Sequence, residues 1–371
     1  MELWAYSAHT MSTTETEGRG GDEIDTFAEA EALVDGVGPR PPGSDAERRA
    51  ARHLAERLEG LGREVVVEPF SVWPAWSAGY SINAVLAVIG SVLSVSSAKL
   101  GTGLVLLATV LTFLDLSGIT PTTRRLLGRR ASQNVISWGE REKLGALLLL
   151  AHYDSGPTRR WPLRPMFLAL LLLLACCVLR VGGMSGTALT VLQFLPTVAL
   201  ILYVPLLLDI ALSPAAVGEN DNASGVALVL RLAERLDFLE GFGVHVVLTG
   251  SQKATAQGCR AFLKSHRKQF GPDRTAVLNV DSVGSGEIRL TKKEGPLLTV
   301  RSHPQLVGLM DVDTIVNREP SDGYAAASAQ LPAVTLTCDG TRLEEDTLAE
   351  VEEFCVEFAE RLDEELSPPE R

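Results

Sequence analysis

Four long stretches almost without charged residues most constrain how this chain of 371 residues can fold. They come in two pairs, residues 78–97 and 101–116, then residues 166–179 and 189–212. A helix that crosses a bilayer needs about 20 predominantly apolar residues, and the short polar sequence within each pair suits the tip of a hairpin. The pattern predicts two transmembrane helical hairpins, at residues 78–117 and 165–213.

The lengths of the apolar runs separate spans from core strands. The run ALLLLA at residues 146–151 has the length of a central β-strand and not of a membrane span. Residues 166–179 are short for a full crossing, but Arg164 before them and Arg180 after them suit anchors at the two membrane interfaces. We therefore expect four spans.

The basic residues predict the orientation of these spans. Each hairpin tip holds one basic residue, Lys99 or Arg180, whereas the linker between the hairpins is rich in arginine and includes Arg124, Arg125, Arg129, Arg130, Arg159, Arg160 and Arg164. Positive residues stay on the cytoplasmic side of a membrane. The sequence predicts an integral, multi-pass membrane protein whose other parts are cytoplasmic and whose linker arginines meet lipid phosphates.

Outside the hairpins the sequence alternates between strand and helix patterns. Residues 1–25 are polar and expected to be disordered, with Met11 as an alternative start. Residues 26–77, 118–164 and 214–371 are three parts of one domain. In the first part, Ser44 and Glu47 form a capping box for a helix that Gly62 ends. Predicted strands at 244–249, 275–280 and 332–337 alternate with helices at 224–237, 254–268 and 343–364, which indicates an α/β layered sandwich.

Charge and cysteine content narrow the choice of partners. The formal net charge is −12, and the linker holds the one basic stretch, so we expect no nucleic-acid partner. Five cysteines, an odd number, indicate no disulfide framework. The lipid bilayer is the expected partner, with a peptide or protein ligand as a further possibility.

Three short motifs offer metal ligands. AHYDSG contains His152 and Asp154, ENDNASGVA contains Asp221, and LNVDSVG contains Asp281, and each motif follows a short apolar run. Zinc takes neutral imidazole and carboxylate ligands, so His152, Asp221 and Asp281 are candidates for one three-ligand site. Asp154 is placed to accept the proton on the second imidazole nitrogen, as carboxylates behind a ligating histidine commonly do.

Each motif also has a purely structural interpretation. A His-x-Asp sequence after a strand is commonly a surface turn, DNASG is also a helix start capped by Asn222 or Ser224, and Asp281 also suits a turn cap. The order and context of the motifs favour the metal site over these alternatives.

Five motifs in order resemble metallopeptidase family 28, the co-catalytic zinc exopeptidases. Besides the three above, residues 37–70 resemble the opening helix and strand of that family, and LPAVTL at 331–336 resembles its last core strand. The resemblance spans about residues 26–365, interrupted by the apolar hairpins. It implies a three-layer sandwich around a mostly parallel sheet, with zinc as the cofactor.

The resemblance places His152 and Asp281 on the first zinc of the family, with Asp221 bridging to a second. The second zinc would need a glutamate at position 253 and a histidine at position 323, where this chain has Lys253 and Gly323. The general base of the family, a glutamate, aligns with Gln252, and an amide is not a base at neutral pH. The chain therefore resembles a degenerate member of the family, with one zinc ion at most.

These replacements predict a membrane-anchored, catalytically impaired pseudopeptidase. Two alternatives stay open. One is a single-metal peptide hydrolase in which another carboxylate, Asp154 or Glu219, replaces the lost base. The other is a membrane protein that uses the peptidase fold as a scaffold, for which Asp115 and Asp209 near the span ends are the residues of interest.

Overall fold

A computed structural model describes residues 24–367, so almost all of the predicted disordered segment lies outside the described residues. Within that range nine strands form one sheet, in the order β1-β2-β4-β3-β5-β9-β6-β7 with β8 beside β6. The strands are β1 (Glu64–Val72), β2 (Arg130–Trp138), β3 (Gly145–His152), β4 (Phe242–Thr249), β5 (Thr275–Val280), β6 (Ile288–Glu294), β7 (Val300–Arg301), β8 (Thr314–Asn317) and β9 (Ala333–Cys338).

The sheet is mixed, with a parallel centre. Strands β4, β3, β5 and β9 run parallel to one another. The pairs β1-β2, β2-β4, β9-β6 and β6-β7 are antiparallel, and β8 pairs parallel with β6. The predicted three-layer α/β fold is confirmed, and its parallel strands are the central ones. Their carboxyl ends meet at one edge, which is where open α/β sheets carry their sites.

Strand β3 shows how the sequence builds three layers. Leu147 and Leu149 pack into the core on one face, and Leu148 and Leu150 into the core on the other, and all four are fully buried. An unbroken apolar run suits a parallel strand covered on both faces. Each such leucine stabilises the fold by about 1.5–3 kcal/mol through burial.

Helices cover both faces of the sheet. The face of Leu147 and Leu149 packs against α1 (Thr26–Val37), α2 (Asp45–Gly60), α7 (Ser224–Arg235), α9 (Pro304–Gly308) and α11 (Glu345–Leu366). The face of Leu148 and Leu150 packs against α8 (Gln257–His266) and α10 (Asp322–Ser328).

The start of α2 forms only half of the expected capping box. Ser44 Oγ accepts the N–H of Glu47 at 3.1 Å, as predicted. The Glu47 carboxylate, however, accepts the N–H of Gly43 at 2.7 Å and the hydroxyl of Ser251 at 2.8 Å. Glu47 points into the interior because a partner there uses its second oxygen.

Four further helices form a separate bundle: α3 (Trp76–Ser96), α4 (Ala98–Leu116), α5 (Arg164–Val181) and α6 (Thr187–Leu212). By length and composition, all four are apolar enough to cross a membrane. Their main contacts follow the cycle α3-α4-α5-α6, and α3 also contacts α5 across it. The bundle has its own core, which includes Leu170 and Leu200, while Leu172, Phe194 and Leu195 are exposed on its outside. A helix that is apolar all round is typical of a membrane span.

Small and polar residues hold the bundle together. At Gly101 a Cβ atom would lie 2.3 Å from the Ser94 backbone nitrogen, so only glycine allows α4 to approach α3 this closely. Gln193 of α6 donates to the hydroxyls of Ser91 and Ser94 of α3, each at 2.9 Å. Hydrogen bonds of this kind link apolar helices where water is absent.

Candidate metal centre

The three predicted ligands meet at the carboxyl edge of the parallel strands. His152 ends β3, Asp281 follows β5, and Asp221 lies just before α7. His152 Nε2 is 3.2 Å from Asp221 Oδ1 and 3.6 Å from Asp281 Oδ1. One ligand atom from each residue lies within 4.8 Å of the others. The structure thus brings together residues that are 69 and 60 positions apart in the chain.

The donor set fits one zinc ion. His152 Nε2 is buried and has no hydrogen-bond partner within residues 24–367, although it faces two carboxylates. One imidazole and two carboxylates are ligands that zinc accepts, with a further position left open. A zinc ion bound there would supply Lewis-acid polarisation and would lower the pKa of a bound water.

The electrostatics of the site favour a positive charge at this point. Burial and the Lys253 ammonium lower the pKa of His152, but the neighbouring carboxylates of Asp154, Asp221 and Asp281 hold that pKa well above its ordinary value. Burial raises the pKa of Asp281, and His152 and Lys253 more than offset this effect and lower it. The carboxylates are therefore ionised and bind a cation.

Two side-chain cations already occupy Asp221. Lys253 Nζ lies 2.5 Å from Asp221 Oδ1, and the Arg160 guanidinium donates to Asp221 Oδ2. Burial lowers the pKa of Lys253, but Asp221 and Asp281 outweigh burial and raise it, so the amine is charged. Burial raises the pKa of Asp221, yet Lys253 and His152 hold it well below its ordinary value. A second metal ion does not fit beside an ammonium at this distance.

Gln252 is the residue that the sequence resemblance aligns with a general base. Its Nε2 donates to the carbonyl oxygen of Pro320 at 2.7 Å, and its Oε1 finds no hydrogen-bond partner in the described part of the chain. The amide oxygen accepts hydrogen bonds but does not take up a proton at neutral pH. The Gln252 side chain therefore has no capacity for base catalysis.

Asp154 supports the site in two ways. The Nδ1 atom of His152 lies 3.0 Å from the main-chain oxygen of Asp154 and 3.5 Å from its carboxylate. A carbonyl oxygen only accepts, so Nδ1 carries a proton and Nε2 is the nitrogen free to bind metal. The Asp154 carboxylate accepts the backbone N–H groups of Gln252 and Lys253, at 2.8 and 2.9 Å.

The loop that carries Gln252 and Lys253 is strained and held through its backbone. Ser251, Thr255 and Ala256 have φ angles of 56°, 71° and 53°, a region that costs other residues than glycine about 1–3 kcal/mol each. Hydrogen bonds from Asp154 to the main chain do not depend on which side chains the loop bears. The loop conformation is therefore compatible with a change of residues at positions 252 and 253.

Gly323 leaves no room for a side chain in its present surroundings. The residue lies in the first turn of α10, where a Cβ atom would meet Thr335 Oγ1 at 2.1 Å and Glu294 Oε1 at 3.2 Å. Thr335 Oγ1 in turn accepts a hydrogen bond from Asn279 at 3.1 Å. Any side chain at position 323 would force this cluster to move.

The remaining acids singled out from the sequence lie away from the site. Glu219 is exposed, and Asp154 is fully buried on the Nδ1 side of His152, opposite the candidate metal position. Asp209 lies 3.9 Å from Arg159 at the surface. Asp154 therefore lies on the wrong side of the imidazole to take a proton from a ligand at that position.

Two arginines with a role near the site were not identified from the sequence. Arg160 was grouped with the arginines expected to meet lipid, but it pairs with Asp221, 61 positions further along the chain. Arg124 forms a buried ion pair with Asp115 at 2.8 Å and donates to the carbonyl oxygen of Ala254 at 2.9 Å. No local sequence pattern signals either contact.

Comparison with known proteins agrees with this geometry. The model described as peptidase family M28 matches residues 134–311, which include all three candidate ligands. Over these residues the chain is similar to peptidase family M28, and the hairpin α5-α6 lies within them. No curated protein matches this chain.

Solved structures of the M28 fold extend the likeness to nearly the whole chain. A zinc aminopeptidase from Bacillus subtilis is 12% identical, with a TM-score of 0.52 and coverage of 90% of this chain and 93% of that one. A glutaminyl cyclase from Fimbriiglobus ruber is 15% identical, with a TM-score of 0.52 and coverage of 95% and 99%. An aminopeptidase from Aneurinibacillus sp. strain AM-1 is 14% identical, with a TM-score of 0.51 and coverage of 94% and 98%. At this identity the likeness establishes the fold, and one fold hosts several reactions.

Proposed function

We propose that this protein is a membrane-anchored pseudopeptidase, an M28-type fold whose hydrolytic site is impaired and which acts as a binding module. The observation that carries the proposal is the double occupation of Asp221 by Lys253 and Arg160. The carboxylate that would bridge two metal ions is neutralised by the protein itself. The amide of Gln252 supports the same conclusion, because it removes the proton acceptor.

A single-metal peptide hydrolase is the second candidate. The unpartnered Nε2 of His152, facing Asp221 and Asp281, favours it because these atoms fit one zinc ion. In that case the chain's own residues would bind and orient the substrate. Asp154, which faces the Nδ1 side of His152, is not placed to accept a proton on the metal side.

Zinc content and peptidase activity of the purified protein separate the two candidates. We expect at most one zinc ion per chain by elemental analysis and no hydrolysis of a panel of aminoacyl anilides. Lys253→Met removes the ammonium beside Asp221 and should raise zinc affinity about tenfold or more, measured by chelator competition. Lys264→Met, on an exposed position of α8, is the matched control and should change nothing. Two zinc ions with turnover in the unaltered protein would overturn the proposal.

The membrane topology is part of the proposal, with both hairpin tips outside and the M28 domain in the cytoplasm. All five natural cysteines are buried and free, so an introduced thiol dominates labelling. Lys99→Cys and Ser185→Cys lie at the tips and should react with an impermeant maleimide in intact cells. Arg129→Cys lies between the hairpins and should react only after permeabilisation, and the reverse pattern would invert the orientation.

A further inference from the structure

A cavity of about 270 Å³ lies between the helix bundle and the candidate metal centre. On the bundle side it is lined by Tyr80 near the start of α3, Leu116 at the end of α4 and Leu163 just before α5. Gln252 and Lys253 lie on its opposite wall. The cavity therefore connects the domain end of the bundle with the loop whose catalytic residues are replaced.

The charged residues of the cavity are strongly biased towards positive charge. Its lining includes one acid, Glu319, and five cations: Arg159, Arg160, Lys253, Arg164 and Arg318. Asp221 neutralises part of this charge by pairing with both Lys253 and Arg160. The excess that remains favours an anionic ligand.

Three of the arginines have no close acidic partner. Arg318 is exposed and forms no ion pair with any residue between 24 and 367. The contact of Arg159 with Asp209 is 3.9 Å long, and the two side chains are 63% and 43% exposed, so it contributes little. Arg164 donates to the carbonyl oxygen of Pro296 at 2.7 Å, which leaves its charge uncompensated.

The other part of the lining is apolar and belongs to the ends of membrane-type helices. Helices α3 and α5 begin at the domain side of the bundle, and α4 and α6 end there. In an anchored protein this level coincides with lipid head groups, where arginines meet anionic groups and apolar side chains meet hydrocarbon. A ligand complementary to both parts has a negative head and an apolar chain.

We propose that this cavity binds an anionic amphiphile that carries a phosphate group. The phosphate pairs with Arg159 and Arg318, because planar guanidinium groups bind phosphate oxygens in pairs. The hydrocarbon chain lies along Tyr80, Leu116 and Leu163. The inference rests on the membrane anchoring proposed above, and it holds whether or not the M28 site retains activity.

The test uses the full chain in dodecyl maltoside micelles with dodecyl phosphate as the probe. A ligand that binds only the folded protein raises the thermal unfolding midpoint with its concentration. We expect a saturable rise for the unaltered protein. The double variant Arg159→Gln/Arg318→Gln should weaken binding about tenfold or more, and Arg318→Gln alone about threefold. The control Arg129→Gln/Arg130→Gln removes the same charge from exposed positions outside the cavity and should bind normally.

Inorganic phosphate is the second arm, and it separates a lipid-type ligand from a free phosphate. We expect it to bind at least about 100-fold more weakly than dodecyl phosphate, because it lacks the chain. Equal affinity for the two, or equal losses in both double variants, would overturn the proposal. Membrane extraction with alkaline carbonate and zinc analysis are measured separately, so a failure of anchoring or of the pseudopeptidase assignment is distinguishable from a failure here.

Discussion

The two halves of the candidate metal centre are attached to different parts of the molecule. His152 and Asp281 lie at the ends of β3 and β5, where buried strands on both sides fix them. Gln252 and Lys253 lie on a strained loop that contacts the sheet domain on one side. On the other side it contacts Arg124, which is ion-paired with Asp115 of α4. The first half keeps residues suited to metal, and the second half does not.

The comparison teaches that the shape of this loop is fixed independently of the side chains that it carries into the site. The loop is held by hydrogen bonds to main-chain groups from Asp154 and Arg124, and by the contact of Glu47 with Ser251. None of these depends on the side chains at positions 252 and 253. Lys253 pairs with Asp221, so this carboxylate has a cationic partner within the protein itself.

The largest expected effect is on stability and concerns Arg124, which links Asp115 of the helix bundle to the loop at Ala254. Arg124→Met leaves Asp115 as a buried carboxylate without its partner, which costs about 3–5 kcal/mol. The carbonyl oxygen of Ala254 also loses its donor. Denaturant unfolding in detergent should show this loss of stability.

Two further variants sharpen that measurement. Arg125→Met removes an exposed neighbour that packs over the ring of Trp73 and should cost at most about 1 kcal/mol. Asp115→Leu/Arg124→Met replaces both charges and should recover most of the stability, because a buried pair contributes little over apolar residues. If Arg124→Met were no worse than Arg125→Met, the bundle would not hold the loop.

The sequence is informative where a local pattern fixes the structure. The run before His152 predicts β3, because a strand buried on both faces needs apolar residues throughout, and the ligand then follows at its end. Asp281 after β5 is predictable for the same reason. The contacts of Arg160 and Arg124 are not, since they join residues 61 and 130 positions apart. The space at Gly323 in α10 is limited by the Thr335 side chain of β9, and no sequence pattern near position 323 reveals this contact.

Glu47 gives the second effect, a dependence of stability on pH. Burial and the nearby Asp154 raise its pKa from 4.5 to about 8. The folded protein therefore binds an extra proton between these values, so this contribution is complete below about pH 4.5 and is lost as the pH rises through 8. The slope is at most about 1.4 kcal/mol per pH unit.

Glu47→Gln mimics the protonated side chain and should flatten this slope. Urea midpoints in detergent at pH 5.5 and 7.5 would then differ less for the variant than for the unaltered protein. Glu56→Gln changes an exposed residue of the same helix and should keep the original slope. An unchanged slope in Glu47→Gln would show that protonation of Glu47 does not contribute to the pH dependence of stability.

Gly323 gives the third effect and tests whether position 323 can accept a side chain. Gly323→Ala places a Cβ atom 2.1 Å from Thr335 Oγ1, which costs about 1–3 kcal/mol by overpacking. Better helix propensity returns up to about 1 kcal/mol of that. The control Gly60→Ala, at the open end of α2, should be neutral or stabilising by thermal unfolding. A neutral Gly323→Ala would mean that a histidine fits at this position after all.

Arg160 gives the smallest effect and separates the two cations at Asp221. Its side chain is 54% exposed, whereas that of Lys253 is 13% exposed. Exposed ion pairs contribute about 0.2–1 kcal/mol and are screened by salt. Arg160→Gln should therefore raise zinc affinity only about threefold at 0.05 M ionic strength, and the ratio to the unaltered protein should approach one at about 0.5 M. The gain from Lys253→Met should persist at both. Equal gains with equal salt dependence would show that Arg160, and not the buried ammonium alone, keeps a metal ion from the bridging carboxylate.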